Sequence, residues 1–324
     1  MSTTPLDFGG VRALPAVTVE AVKVSSVGLT DGRLRYPDEL ERNDTAPALS
    51  PVRYGKSWNL SYERDMEVAL TFYRALTHGH ASLVFQPIVQ QGGTHVVLYH
   101  EALIRLSALS RQPNLGPAHF VPALERLGLI RILDHAVITA VINRLEVDHT
   151  AQLGCNLSAL SLAADAWWEP LIARLVNQPD VSSRLTLELT ETAALADIDA
   201  ACAFVRRLQA AGCRIALDDF GSGHSSLAFA RAIRPQVIKI DSCCVHAARR
   251  DLDAADQLSK FVVFCQTLTS YVVGEGIESN KDIEIAAMAN INWLQGNCIE
   301  PPLPLKPSVD LCMFDTKEVA LWRS

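Results

Sequence analysis

Five carboxylates, two side-chain amides and one lysine draw attention because each interrupts a run that is otherwise apolar. Glu101 lies in VVLYHEALI, Asn156 ends LGCN, Glu188 sits late in LTLEL, and Asp218 and Asp219 end RIALDD. Lys239 lies in VIKID, Glu275 follows YVVG, and Gln295 ends INWLQ. Any one of these alone reads as a helix cap or a surface charge. Their recurrence late in successive runs reads differently, because the strands of a parallel barrel bring such positions to one mouth. Carboxylates gathered there repel one another and take up protons unless cations join them. Oxygen donors without Cys or His partners favour magnesium, manganese or calcium over zinc or copper. The vicinal Asp218 and Asp219 suit two ions, one carboxylate bridging while its neighbour binds the second. Ions ~3.5–4 Å apart suit in-line displacement at phosphorus. Lys239 could orient or deprotonate the attacking water, or hold the developing negative charge.

The elements that must position these residues are eight β-rich runs: LVFQPIV, VVLYHEALI, LGCNLS, LTLELTE, RIALDDF, VIKID, YVVGEGIE and INWLQG. Helix-like stretches such as DAACAFVRRLQAAG and QLSKFVVFCQTLT lie between most of them. The alternation points to an α/β barrel or a doubly wound sheet, and eight is the barrel number. Residues 62–307 carry this pattern. Residues 1–60 are punctuated by Pro5, Pro15, Pro37, Pro47 and Pro51 and read as an extension, with VTVEAVKVSSV alternating like a strand. Residues 308–324 form a C-terminal tail.

With 49% hydrophobic and 20% charged residues in 324, the chain has the composition of a globular protein with ample core. A formal charge of -7 gives no global pull on nucleic acid, so an anionic substrate must be drawn locally. MSTTPLDFGG shows neither the basic nor the apolar region of a signal peptide, and RILDHAVITAVINRL is interrupted by Asp134, His135 and Arg144. A cytoplasmic protein that does not span a membrane is expected. The eight cysteines form no C-x-x-C pair and read as free thiols of a reducing compartment, the adjacent Cys243 and Cys244 included.

HEALIRL resembles the signature of the EAL domain, a bacterial cyclic di-GMP phosphodiesterase. FQPIV precedes it, and GCNLSALSL, LTLELTETAAL, IALDDFGSGHSSLAF, VIKID, VVGEGIES and LQG follow in the family's order. The resemblance implies a modified (β/α)8 TIM-type barrel whose first strand is antiparallel to the rest. It implies that Glu101, Asn156, Glu188 and Asp218 hold one metal, with Asp218 shared with a second ion that Asp219 binds and Glu275 approaches. Lys239 matches the lysine that contacts the nucleophilic water. Gln86, Arg105, Gln295 and Glu278 match residues of the substrate groove and rim, and Glu191 matches a glutamate that braces the DDFGSG loop. The chain departs from the family at Leu106, Gln236, Gly274, Asn297 and His224; Leu106 and Asn297 are expected to alter substrate packing.

The expected function is metal-dependent hydrolysis of cyclic di-GMP to linear pGpG in second-messenger signalling. Two Mg2+ or Mn2+ ions are expected, with Ca2+ inhibitory. A homodimer is expected from the family alone. The alternative is a catalytically silent cyclic di-GMP receptor or protein-interaction module on the same scaffold. A glycosidase using paired carboxylates is a weaker third reading, because it needs neither Asn156 nor adjacent aspartates.

Overall fold

The structure, a computed structural model, describes residues 6–8, 11–13, 56–92, 96–106, 116–163, 165–190, 197–222, 227–306 and 309–311. VTVEAVKVSSV, His224 and Glu191 lie outside the described residues. Two short strands, β1 (Leu6–Phe8) and β2 (Val11–Ala13), pair antiparallel as a sheet of their own. The order then runs α1 (Lys56–Thr77), β3 (Ala81–Gln90), β4 (Val97–Leu106), α2 (Pro117–Arg126), α3 (Ile130–Val147) and β5 (Leu153–Ser158). It continues with α4 (Glu169–Asn177), α5 (Pro179–Ser182), β6 (Leu185–Thr190), α6 (Ile198–Ala210), β7 (Arg214–Phe220), α7 (Leu227–Ile233) and β8 (Val237–Ile240). Last come α8 (Ser242–Ala248), α9 (Leu252–Gln266), β9 (Tyr271–Gly274), α10 (Asn280–Met288), β10 (Trp293–Leu294) and β11 (Val309–Asp310).

Strands β3 to β10 pair in chain order, and β10 returns to β3, so eight strands close a barrel with helices outside. β4 to β10 are mutually parallel, whereas β3 is antiparallel to both neighbours, β4 and β10. The short connection between β3 and β4 explains the inversion: it is long enough for a hairpin and too short for the crossover that parallel neighbours require. β11 adds to the edge of β3 that β10 leaves open.

The period of two along each strand sorts side chains into an outer and an inner set. Leu153, Cys155, Leu157, Leu185, Leu187, Leu189, Ile215, Leu217, Ile238 and Ile240 face the helices in the main core. Inside the barrel a small separate core joins Ile88, Tyr99, Ala216, Val237 and Val273. One step of two along each of those strands reaches Gln86, Glu101, Asp218, Lys239 and Glu275. The polar positions singled out in the sequence thus form the layer directly above an apolar floor. Gly154 belongs to that floor. A Cβ there would stand 2.5 Å from Tyr99 Cε2 and 2.8 Å from Glu188 Oε1, so only glycine leaves room for both.

Candidate metal centre at the barrel mouth

Lys239 is the hub of the polar layer. It is 1% exposed, and its Nζ lies 2.5 Å from Glu188, 2.8 Å from Glu275, 3.0 Å from Asp218 and 3.2 Å from Glu101. Asn156 Nδ2 donates to Glu101 Oε1 at 2.8 Å, and Gln295 Nε2 donates to Glu101 Oε2 at 2.6 Å. Gln295 also donates to Gln86 Oε1 at 3.3 Å, and Gln86 Nε2 donates to Glu300 O. Eight side chains, one from each barrel strand or its end, therefore meet at the mouth, with Asp219 beside them.

Asp219 reaches the same rim by a backbone device. A regular strand would turn it away from Asp218, but β7 shifts register after Leu217 and Asp219 takes φ +54°. Aspartate tolerates this left-handed conformation better than most residues. As a result carboxylate oxygens of Asp218, Asp219 and Glu275 lie within 4.8 Å of one another.

The electrostatics of the cluster are unbalanced. Burial alone would lower the Lys239 ammonium, but Asp218, Glu101, Glu188 and Glu275 outweigh it and hold the group well above its ordinary range. Glu101 is also buried, yet Lys239, Gln295 and Asn156 bring its carboxyl below the usual value. The single positive charge does not serve the others. Burial, then repulsion from Glu101, pushes Glu188 well up; burial and Asp218 do the same to Glu275. Burial and the neighbouring Asp218 raise Asp219 to about 7. Five carboxylates against one ammonium leave a formal excess of four negative charges, the charge of two divalent cations. Acceptor atoms also stand without donors: Asn156 Oδ1 and Glu188 Oε1 are buried and unpartnered. Orphaned oxygens of this kind are rare unless an ion or water completes them. The donor set fits hard divalent cations.

A cavity of about 310 Å³ opens over Asn156, Asp218 and Asp219. Much of its remaining wall is apolar and comes from α2 and α3, among them Val121, Pro122 and Leu133, with Glu125 and Asp134 of the same helices as polar exceptions. Four polar groups near this mouth escaped the sequence reading. Asp241 acts on Asp219 and caps α8 through Cys243 N. Ser158 and Thr190 line the cavity, and Asp134 is buried beneath it, accepting from Ser158 N and Ser161 Oγ. Three of them were within reach of the alternation, since Ser158, Thr190 and Asp241 follow Asn156, Glu188 and Lys239 by two.

Other expected site residues lie apart from the cluster. Arg105 Nη1 donates to Ile104 O at 2.9 Å. The Glu278 side chain is 58% exposed and faces Arg249 Nη2 at 3.3 Å and His246 at 3.8 Å. Among the departures from the family pattern, Leu106, the last residue of β4, is half-buried against the outer core. Gln236 Oε1 accepts from Ile215 N just before β8 begins, at the end of the barrel opposite the mouth. Asn297 is exposed beside Gln295.

An α/β barrel with one inverted strand and a carboxylate, amide and lysine layer at its mouth is the class that fold and site define. The sequence profile of the EAL domain matches residues 70–302, and the chain belongs to that family. It is 28% identical over 260 residues to the bifunctional diguanylate cyclase/cyclic di-GMP phosphodiesterase MucR of Pseudomonas aeruginosa, covering 78% of this chain and 37% of the relative. It is 29% identical over 299 residues to the cyclic di-GMP phosphodiesterase PdeB of Shewanella oneidensis, covering 86% and 34%. The chain thus spans about a third of the length of these relatives. Among solved structures, the MucR phosphodiesterase in complex with c-di-GMP superimposes with a TM-score of 0.65 at 29% identity, covering 74% of this chain and 98% of that one. No helix among the described residues is long and apolar enough to cross a membrane.

Proposed function

We propose that this chain is a cytoplasmic phosphodiesterase that hydrolyses one phosphodiester bond of cyclic di-GMP, releasing linear pGpG. The observation that carries the reading is the complete set of oxygen donors around a buried lysine, with unpartnered acceptors on Asn156 and Glu188. Glu101, Asn156, Glu188 and Asp218 would hold one Mg2+ or Mn2+, and Asp218, Asp219 and Glu275 a second. When bound, such ions supply positive charge at the phosphoryl oxygens and lower the pKa of a coordinated water.

The protein's own residues do the rest. In the metal-free protein four carboxylates hold Lys239 protonated, and as an ammonium it would orient the attacking water and offset negative charge at phosphorus. Glu101 is kept ionised by Lys239 and two amide donors and is ready to bind. Gln295 fixes the orientation of Glu101 and is itself held by Gln86, and both would border the substrate groove. Arg105, on the same strand face as Glu101, would meet a substrate phosphate, and Glu278 would act at the outer rim. Glu191 is assigned to bracing the loop after Asp219. The apolar walls from α2 and α3 exclude water and suit a purine face.

The test is hydrolysis of cyclic di-GMP followed by chromatography. Mg2+ or Mn2+ should support turnover to pGpG, EDTA should abolish it, and Ca2+, which takes more ligands at longer distances, should inhibit. Tight nucleotide binding without product in either metal would replace the enzyme with the silent receptor. Sedimentation would show whether the chain is the expected homodimer.

A further inference from the structure

The ladder that restrains β5 is lopsided. Against β6 it runs the whole strand, from Leu153 opposite Leu185 to Ser158 opposite Thr190. Against β4 it stops at Cys155, opposite Ala102. Asn156 is therefore the first residue of β5 with a strand along one edge only. It is also the residue whose side chain must be aimed: Nδ2 donates to Glu101 Oε1 at 2.8 Å, while Oδ1 is buried without a partner. Two steps along a strand return a side chain to the same face, so Ser158 stands next above Asn156, and both line the cavity.

Two carboxylates from the cavity wall take the place of the missing strand. Asp134 of α3 accepts on Oδ2 from Ser158 N at 3.1 Å and from Ser161 Oγ at 2.5 Å. Glu125 of α2 accepts from Ser158 Oγ at 2.9 Å. The same Oγ accepts from Leu160 N at 3.3 Å and caps the single 3-10 turn, Ala159–Ser161, that ends the strand. Ser158, Ser161 and Asp134 are buried, so solvent does not compete for these bonds. Glu125 is half-buried. Because the two carboxylates come from α2 and α3, the helices that wall the cavity are tied to the strand whose amide oxygen faces into it.

We infer that Glu125 and Asp134 are positioning residues for Asn156: through Ser158 they clamp the one-sided end of β5 and so aim the Asn156 amide oxygen at the ion position it shares with Glu101, Glu188 and Asp218. They act from behind the ligand and are not ligands themselves. The clamp on Ser158 rests on geometry alone. Its purpose, presenting Asn156 to a divalent cation, rests on the function proposed above.

The test is a double-mutant cycle read by Mn2+ affinity, measured by electron paramagnetic resonance on the full chain without nucleotide. Glu125→Leu keeps the bulk and removes the acceptor, and it should weaken Mn2+ binding about tenfold, as loss of a partner behind a metal ligand does. Glu125→Gln keeps an acceptor oxygen without the charge and should stay within about twofold of the wild type. Asn156→Ala should itself weaken binding, and adding Glu125→Leu to it should cost no more than about another twofold, because the residue being aimed is gone. Asp134→Leu should repeat the loss and Asp134→Asn should not; if Asp134→Leu does not fold, the Glu125 variants decide. In the metal-free protein, amide hydrogen exchange over residues 156–161 should be faster in Glu125→Leu than in the wild type or Glu125→Gln. Unchanged affinity or exchange in Glu125→Leu, a loss in Glu125→Gln as large as in Glu125→Leu, or an undiminished loss on the Asn156→Ala background would each overturn the positioning role. A wild type that binds no Mn2+ would strike the metal reading of Asn156 together with this role, whereas a wild type that binds and variants that match it strike this role alone.

Discussion

Replacing Lys239 by methionine keeps the length of the side chain and removes its charge. In the metal-free protein, Glu101, Glu188, Asp218 and Glu275 then face one another with no cation. Breaking a buried charge pair by removing one partner costs about 3–5 kcal/mol. For a domain of this size that corresponds to a fall in Tm on the order of 10 °C. The loss should be largest near pH 8 and shrink toward pH 5, because Glu188, Asp218 and Glu275 already have raised pKa values and accept protons once the ammonium is gone. Millimolar Mg2+ or Mn2+ should restore most of the stability by supplying the missing charge. It should not restore hydrolysis. Calorimetry in EDTA and in Mg2+ at two pH values, beside the turnover assay, measures each part. If Lys239→Met melts with the wild type in EDTA at pH 8, or if divalent ions leave its Tm unchanged, the account of the cluster as a charge-deficient cation site is wrong.

Asp219→Asn keeps a residue that tolerates φ +54° while removing a ligand charge, so folding should be intact and hydrolysis should fall at least a hundredfold; equal turnover would remove Asp219 from the site. Gly154→Ala should cost about 1–3 kcal/mol by overpacking Tyr99 and Glu188 and should weaken Mn2+ binding measured by electron paramagnetic resonance; unchanged stability and unchanged Mn2+ affinity would show that the glycine is not needed for this packing. Burial pushes the Asp134 carboxyl up to about 7, so the folded state holds a proton that the unfolded state releases near pH 4. Stability relative to Asp134→Asn should therefore fall as pH rises from 4 to 7, by at most about 4 kcal/mol. Parallel stability curves for the two proteins would show that Asp134 is ionised in the fold.

Much of the mouth was legible because burial and periodicity act together. A lysine inside VIKI or a glutamate inside LTLEL has apolar neighbours that must face helices, so the polar side chain must face the barrel interior. The direction of β3 was available from family resemblance, not from periodicity, since an inverted strand has the same alternation as a parallel one. The orientation of Asp219 was not readable either, because it depends on a left-handed backbone rather than on spacing. Glu278 shows the same limit: it follows Gly276, at φ +62°, in a loop where no helical or strand period directs side chains, and it turns to Arg249. The cavity walls were invisible for another reason. The apolar faces of α2 and α3 can be read from composition, but the tilt that brings Val121 and Leu133 over Asn156 is a tertiary property.

The inverted β3 also decides where the chain enters the barrel. Ala81, its first residue, pairs with Leu106, the last residue of β4, so α1 hands over to the sheet at the open end. In an all-parallel barrel the same handover would happen at the sealed end. From there Asp65 of α1 receives both arms of the Arg126 guanidinium at 2.7 Å, and Arg126 closes α2, whose Val121 and Pro122 wall the cavity. A force applied along α1 is thus delivered to the doorway of the barrel, one helix away from the cavity over Asn156, without passing through the strands.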